Sequence, residues 1–130
     1  MSDMYTEIIL DYYRHPMHKG TLLKPDIEAK DLNPLCGDMM KITATVKDGI
    51  ITQLKHDGHG CAISQAAAEM IVEHLEGKKL EDVKHLKKED VLKMLNIPIS
   101  PVRLKCALLC LKVIKIAAYE KLGETLKEEL

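Results

Sequence analysis

From Tyr5 onward, apolar residues recur at helical spacing. Tyr5, Ile8, Ile9 and Tyr12 share one face, Ser2 or Asp3 can cap the start, and His15-Pro16 stops the pattern. A first amphipathic helix is expected there. Between Met17 and Leu35, Gly20, Pro25 and Pro34 punctuate a polar stretch that reads as loop, with one short strand near Ile27 to Asp31. Lys41 to Lys47 then alternates polar and apolar residues, and Asp48-Gly49 leads into Ile50 to Leu54, which predicts a β-hairpin. The second strand of that hairpin alternates poorly. Because a slip of one residue reverses which face is buried, the pattern does not fix the register.

Gly58-His59-Gly60 ends the second strand and introduces a helix. Its inner face carries Ile63, Ala66, Ala67, Met70 and Ile71, and it closes at Gly77. Lys78 to Asn96 is rich in charge, with Leu80, Val83, Leu86, Val91, Leu92 and Leu95 spaced for two short helices before Pro98 breaks the pattern. Those charges read as a solvated face. Ser100-Pro101 forms a cap and first-turn pair for a long last helix reaching Gly123, and Glu124 to Leu130 is expected to fray. A helix, then strands, then several helices predicts an α+β fold: a small antiparallel sheet of about three strands, helices packed on one face, and a long C-terminal helix. With no repeat or linker, residues 1–130 are expected to form one domain.

A chain of 130 residues can bury about two-thirds of the surface that its unfolded form exposes. Hydrophobic residues make up 46%, yet there is no Trp and no Phe, so aliphatic side chains, Met and Ala must fill the core. Nineteen basic residues against twenty acidic ones leave a formal charge of −1, which offers no electrostatic footprint for nucleic acid. No apolar run approaches the ~20 residues of a membrane-spanning helix. Asp3 and Glu7 stand where a signal peptide would be basic and then apolar, so a cytoplasmic location is expected. In that reducing compartment the four cysteines point to metal binding or thiol chemistry, the alternative being small buried hydrophobes.

Three of them fall at element boundaries: Cys36 in Asn33-Pro34-Leu35-Cys36-Gly37-Asp38, Cys61 after Gly58-His59-Gly60, and Cys106 near the start of the last helix. The positive end of a helix favours thiolates, which disposes Cys61, and with it Cys106, to bind metal or accept sulfur. Lys105 places an ammonium beside Cys106, although neighbours in a helix point different ways. Gly37 and Gly60 let the backbone approach a ligand closely, and Asp38 can reach a metal shared with Cys36 if Gly37 turns the chain. The gaps of 25 and 45 residues (61 − 36 and 106 − 61) match no paired zinc pattern. Spacing alone leaves a shared site and scattered structural cysteines both open.

The three cysteine segments, which continue as Cys61-Ala62-Ile63-Ser64 and as Pro101-Val102-Arg103-Leu104-Lys105-Cys106, resemble the motifs of the U-type iron-sulfur scaffold family. That family comprises IscU, SufU and the N-terminal part of NifU. Tyr5 to Tyr13, through Pro16, is similar to its first helix, so the resemblance runs from Met4 to Gly123. It implies a scaffold that accepts persulfide sulfur from a cysteine desulfurase, takes up iron, builds a [2Fe-2S] cluster and passes it to apo-proteins. By matching positions it implies that Cys36, Asp38, Cys61 and Cys106 hold the metal, with the three cysteines as candidate sulfur acceptors. Zinc is a possible occupant of the cluster-free site.

Lys105 stands where IscU proteins have His, and Lys-Cys is similar to SufU, whose members carry zinc and accept sulfur from their desulfurase. The SufU insertion is nonetheless missing between Cys61 and Cys106. A zinc-dependent sulfurtransferase is therefore the alternative to the scaffold, and a module with purely structural zinc is a third reading. Ile99-Ser100-Pro101-Val102-Arg103 matches only in part the Leu-Pro-Pro-Val-Lys segment that IscU proteins present to a dedicated chaperone, which puts that partner in doubt. His56 and His59 are expected in packing or surface roles rather than as ligands. Cys110 is expected to be structural, and His15, His18, His74 and His85 to be ordinary surface or helix residues.

Overall fold

A computed structural model of the chain describes residues 3–33 and 37–123. The turn at Asp48-Gly49 organises the sheet. Both residues have positive φ, 53° and 78°, which is the backbone of a two-residue hairpin turn whose twist suits the flanking strands. It joins β2 (Asp38–Lys47) to β3 (Ile50–His59) in antiparallel register, with Lys47 opposite Ile50 and Val46 opposite Ile51. Thr45 then faces Gln53, so Thr52 is an extra residue in β3 and the pairing shifts by one. This bulge is why β3 alternates poorly in the sequence. Ile51 lies on the buried face before it, and Leu54 and His56 lie on that face after it, in opposite parity.

The third strand, β1 (Ile27–Asn33), pairs antiparallel with β2 from Ile27 opposite Ala44 to Asn33 opposite Asp38. It runs two residues beyond the expected Ile27 to Asp31 because each added residue finds a partner on β2. The sheet order is β1-β2-β3, with the strand that bears Asp38 in the centre.

Helices α1 (Asp3–Arg14), α2 (Ala62–Leu75), α3 (Lys88–Leu95) and α4 (Pro101–Lys121) complete the predicted α+β architecture. Ser100 accepts a hydrogen bond from the Arg103 amide and Pro101 occupies the first turn, as the cap pattern predicts for α4. The first of the two short helices expected in the charged stretch is a 3₁₀ helix, Leu80–His85. Asp82 and Asp90 each accept from a backbone amide at the start of their helix, Lys79 and Lys87 respectively.

Met40, Ile42, Ala44, Ile51 and Leu54 pack the covered face of the sheet against Ala66, Ile71, Leu111 and Ile114 of α2 and α4. α2 is more deeply enclosed than its amphipathic pattern suggests, since every residue from Ser64 to Val72 is buried. The alanines at 66, 67 and 68 let neighbouring elements approach on several sides. Polar side chains are carried inward as a result. Glu69 is 1% exposed, and Lys115 of α4 is fully buried with its ammonium donating to the Lys84 carbonyl at 3.4 Å. Among the described residues no helix is long and apolar enough to cross a membrane.

Candidate metal centre

Three chain junctions meet at one end of the sheet. The β1–β2 connection brings Asn33 and Asp38, the β3–α2 junction brings His59, Gly60 and Cys61, and the first two turns of α4 bring Val102, Arg103 and Cys106. One ligand atom each from Asp38, Cys61 and Cys106 lie within 4.8 Å of one another. They border an open cavity of about 380 Å³. Residues 38, 61 and 106, far apart in the chain, thus converge as three donors. Cys36, the fourth expected ligand, lies outside the described residues.

Cys61 is the residue that caps α2, and its side chain makes no capping hydrogen bond, so the sulfur is free to face the cavity. Its carbonyl accepts from the Gln65 amide and from the Ser64 hydroxyl, both at 3.1 Å, which fixes its backbone. Cys106 is the sixth residue of α4 and 2% exposed. It therefore sits beyond the first turn, where the helix dipole acts most strongly, and the dipole argument applied to it from the sequence fails there. Asn33, buried at the end of β1, donates from Nδ2 to its sulfur at 3.8 Å.

Asp38 opens β2 and is 3% exposed, yet its Oδ2 has no hydrogen-bond partner among the described residues. Burying an unpaired carboxylate oxygen is costly. A cation held jointly with the two sulfurs would compensate it, and a carboxylate with thiolates is a donor set that zinc or iron accepts. Gly60 makes room for this carboxylate. A Cβ at position 60 would stand 2.5 Å from Asp38 Oδ1 and 2.6 Å from Ser64 Oγ. Gly37 has φ 73° with no described residue crowding it, so among the described residues a side chain there is opposed by backbone conformation and not by crowding.

The cation at the rim is Arg103. Its hydrogen bond to Cys61, then the charge of Cys61 and those of Cys106 and Asp38, raise the guanidinium pKa above its ordinary value. Lys105, expected beside the sulfurs, is exposed and is not among the cavity-lining residues. The helical period explains the exchange, since residue 103 is one turn before Cys106 whereas residue 105 faces elsewhere. In the sequence, Arg103 and Asn33 stand out only as members of the cysteine motifs, with no signal for a role at the site.

His59 lines the cavity but does not belong to the convergent donor group. His56 is buried beside Glu69, in keeping with its expected packing role. Cys110 is 1% exposed in α4, and burial pushes its thiol up to about 12. His18 is not an ordinary surface residue, since its ring bridges Glu69 and Glu76. A larger groove of about 620 Å³ between the end of α2, the 3₁₀ helix and α3 includes His74 and His85 but, among the described residues, no convergent donor group.

The model of the NifU-like N terminal domain matches residues 4–127. The chain belongs to that family. It is 35% identical to the iron-sulfur cluster assembly scaffold protein IscU of Rickettsia prowazekii, across 95% of this chain and 98% of that protein. It is 28% identical to the zinc-dependent sulfurtransferase SufU of Bacillus subtilis, across 88% and 89% respectively. Among solved structures, the putative iron-sulfur cluster assembly scaffold protein for the SUF system of Fervidobacterium islandicum superposes with a TM-score of 0.77 at 26% identity, covering 91% of this chain and 99% of that one. The N-terminal NifU-like protein of Brucella abortus, at 19% identity and a TM-score of 0.77, shares the fold.

Proposed function

We propose that this member of the NifU-like family is a scaffold on which a [2Fe-2S] cluster is assembled, with sulfur from a cysteine desulfurase, and from which it passes to apo-proteins. The observation that carries the reading is the buried Oδ2 of Asp38, unpaired among the described residues, beside the Cys61 and Cys106 sulfurs. A scaffold must release its cargo. A hard carboxylate oxygen in place of a fourth soft thiolate makes a weaker seat for iron bound to sulfide. The name of the Rickettsia prowazekii relative supports the same role.

In this reading Cys36, Asp38, Cys61 and Cys106 hold the cargo, and the same donors hold zinc when no cluster is present. Between the two described thiols of the site, Cys61 is the more accessible and Cys106 is buried. Cys61 is then the better placed to take sulfur. Its thiolate attacks the outer sulfur of the desulfurase persulfide, a new S–S bond forms on Cys61, and the desulfurase cysteine leaves as a thiolate. Arg103 at the rim offsets the negative charge of Cys61 and Asp38. Asn33 orients the Cys106 sulfur.

A second reading, a zinc-dependent sulfurtransferase that accepts persulfide sulfur without building a cluster, is favoured by the Bacillus subtilis relative. Anaerobic reconstitution with iron, cysteine and a desulfurase separates the two. The scaffold reading expects a visible chromophore that moves to an apo-ferredoxin and is lost in Cys36→Ser, Cys61→Ser and Cys106→Ser. Zinc binding with stimulated desulfurase turnover and no chromophore would replace it with sulfur transfer.

A further inference from the structure

The segment between α1 and β1 is tied to the sheet by several hydrogen bonds, among them Leu22 N–H to Thr43 Oγ1 at 3.1 Å and Thr21 Oγ1 to Asp57 Oδ2 at 3.3 Å, and one of its attachments is a chain of titratable groups in which Glu69 and His56 are buried and His18 and Glu76 partly exposed. Glu69 of α2 accepts three hydrogen bonds. His18 Nδ1 reaches Oε2 at 2.6 Å, the His18 amide reaches Oε1 at 3.0 Å, and His56 Nε2 of β3 reaches Oε1 at 3.0 Å. The other ring nitrogen of His18 faces Glu76 Oε1 at 3.1 Å, and Glu76 Oε2 accepts from the Leu54 amide at 2.9 Å. The backbone repeats the attachment, with the Gly20 amide donating to the His56 carbonyl at 2.8 Å and the His56 amide to the His18 carbonyl at 3.1 Å.

This pin touches both elements that carry Cys61. His56 lies five residues before it on β3, and Glu69 lies about two turns after it on α2. A second thread runs directly to the site. Lys19 donates to Gln65 Oε1 at 3.5 Å, Gln65 Nε2 to the Ser64 hydroxyl at 3.3 Å, and that hydroxyl to the Cys61 carbonyl at 3.1 Å. We infer that Glu69, His18 and His56 form a proton-dependent clamp that docks residues 17–22 and thereby positions Cys61, its hold greatest in one protonation state.

Geometry selects that state. Both ring nitrogens of His18 face carboxylates, so both must carry a proton, and His18 is the cation. His56 donates from Nε2, while its buried Nδ1 has no partner among the described residues, so a proton there would find no acceptor among them and His56 is neutral. The other groups in contact agree. Burial alone would lower the His18 pKa, but Glu69 and then Glu76 raise it on balance. Burial lowers that of His56 against the pull of Glu69, and the charges of Lys19 and His18 lower it further. Burial would raise the Glu69 pKa, but hydrogen bonds from His18 and His56 bring it below the ordinary carboxylate value. From α1, Tyr12 donates to Glu73, which leaves Glu69 to the two histidines.

The signs give a window. A raised His18 pKa contributes stability that is complete below the ordinary value near 6.5 and lost as pH rises through the raised one. A depressed His56 pKa contributes stability that is complete above that ordinary value and lost as pH falls through the depressed one. Docking therefore peaks around 6.5 and weakens on both sides.

Imidazole NMR titration of the zinc-free protein, with amide-exchange protection of Gly20, tests this. His18 is expected to titrate above its ordinary value and His56 below it, with Gly20 protection peaking between the two. His18→Gln is expected to remove the alkaline fall and lower peak protection about tenfold, and His56→Gln to remove the acid fall. If Glu69→Gln fails to fold, these two milder variants carry the test alone. Peptide-resolved alkylation reads the site: at one pH, His18→Gln should change the Cys61 rate severalfold and leave Cys110 unchanged. Gly20 protection that stays flat with pH overturns the clamp, and an unchanged Cys61 rate after docking is lost overturns its positioning role.

Discussion

Replacing Asp38 by Ala should raise stability without metal and lower it with metal, and the size of the crossing follows from one atom. Oδ2 is buried with no hydrogen-bond partner among the described residues. An oxygen so placed costs about 1–3 kcal/mol, more when charged. Alanine removes that cost, and because the carboxylate borders an open cavity, the vacated space refills with water rather than remaining an empty void. A net gain of about 1–2 kcal/mol is expected in the presence of a chelator. For a chain of 130 residues this corresponds to roughly 3–5 °C in Tm per kcal/mol.

Zinc reverses the order. Loss of one donor should weaken the site by about a hundredfold, and that removes ~2.7 kcal/mol of the linkage that saturating zinc supplies. Urea unfolding followed by circular dichroism, with chelator and with a tenfold excess of zinc, reads both halves. A variant less stable than the parent in chelator would refute the reasoning, because the carboxylate would then have to be satisfied by the protein itself. An unchanged zinc increment would show that Asp38 is not a ligand.

Gly60→Ala should distort the site more than the fold, since the new methyl meets the Asp38 carboxylate and the Ser64 hydroxyl at about 2.5 Å; zinc affinity by chelator competition should fall at least tenfold. Gly37→Ala, with no crowding from the described residues but φ 73°, should instead cost about 1 kcal/mol in urea unfolding. Cys110→Ala should leave zinc stoichiometry unchanged while lowering stability by about 1 kcal/mol, and the native Cys110 thiol should resist iodoacetamide at pH 8 because burial holds its pKa at about 12. Arg103→Gln should weaken binding at low ionic strength more than at 0.5 M salt, as expected for an exposed cation facing anionic sulfur; equal losses at both would point to a packing role.

Local pattern decided much of the fold. Periodicity, the Ser100-Pro101 cap and the Asp48-Gly49 turn are short-range signals, each acting within about one turn of chain, so the elements they specify could be read directly. The motif resemblance gathered Asp38, Cys61 and Cys106 into one proposed site. What those signals could not supply was direction and depth. The bulge at Thr52 reverses the parity of β3, and only the pairing with β2 reveals it. Arg103 rather than Lys105 meets the sulfurs because the phase of α4 is set by its packing on α2 and the sheet. Glu69 and His18 look like scattered polar residues until Ser64 to Val72 of α2 are buried in the assembled fold, because burial belongs to the assembled layers and not to any stretch of sequence.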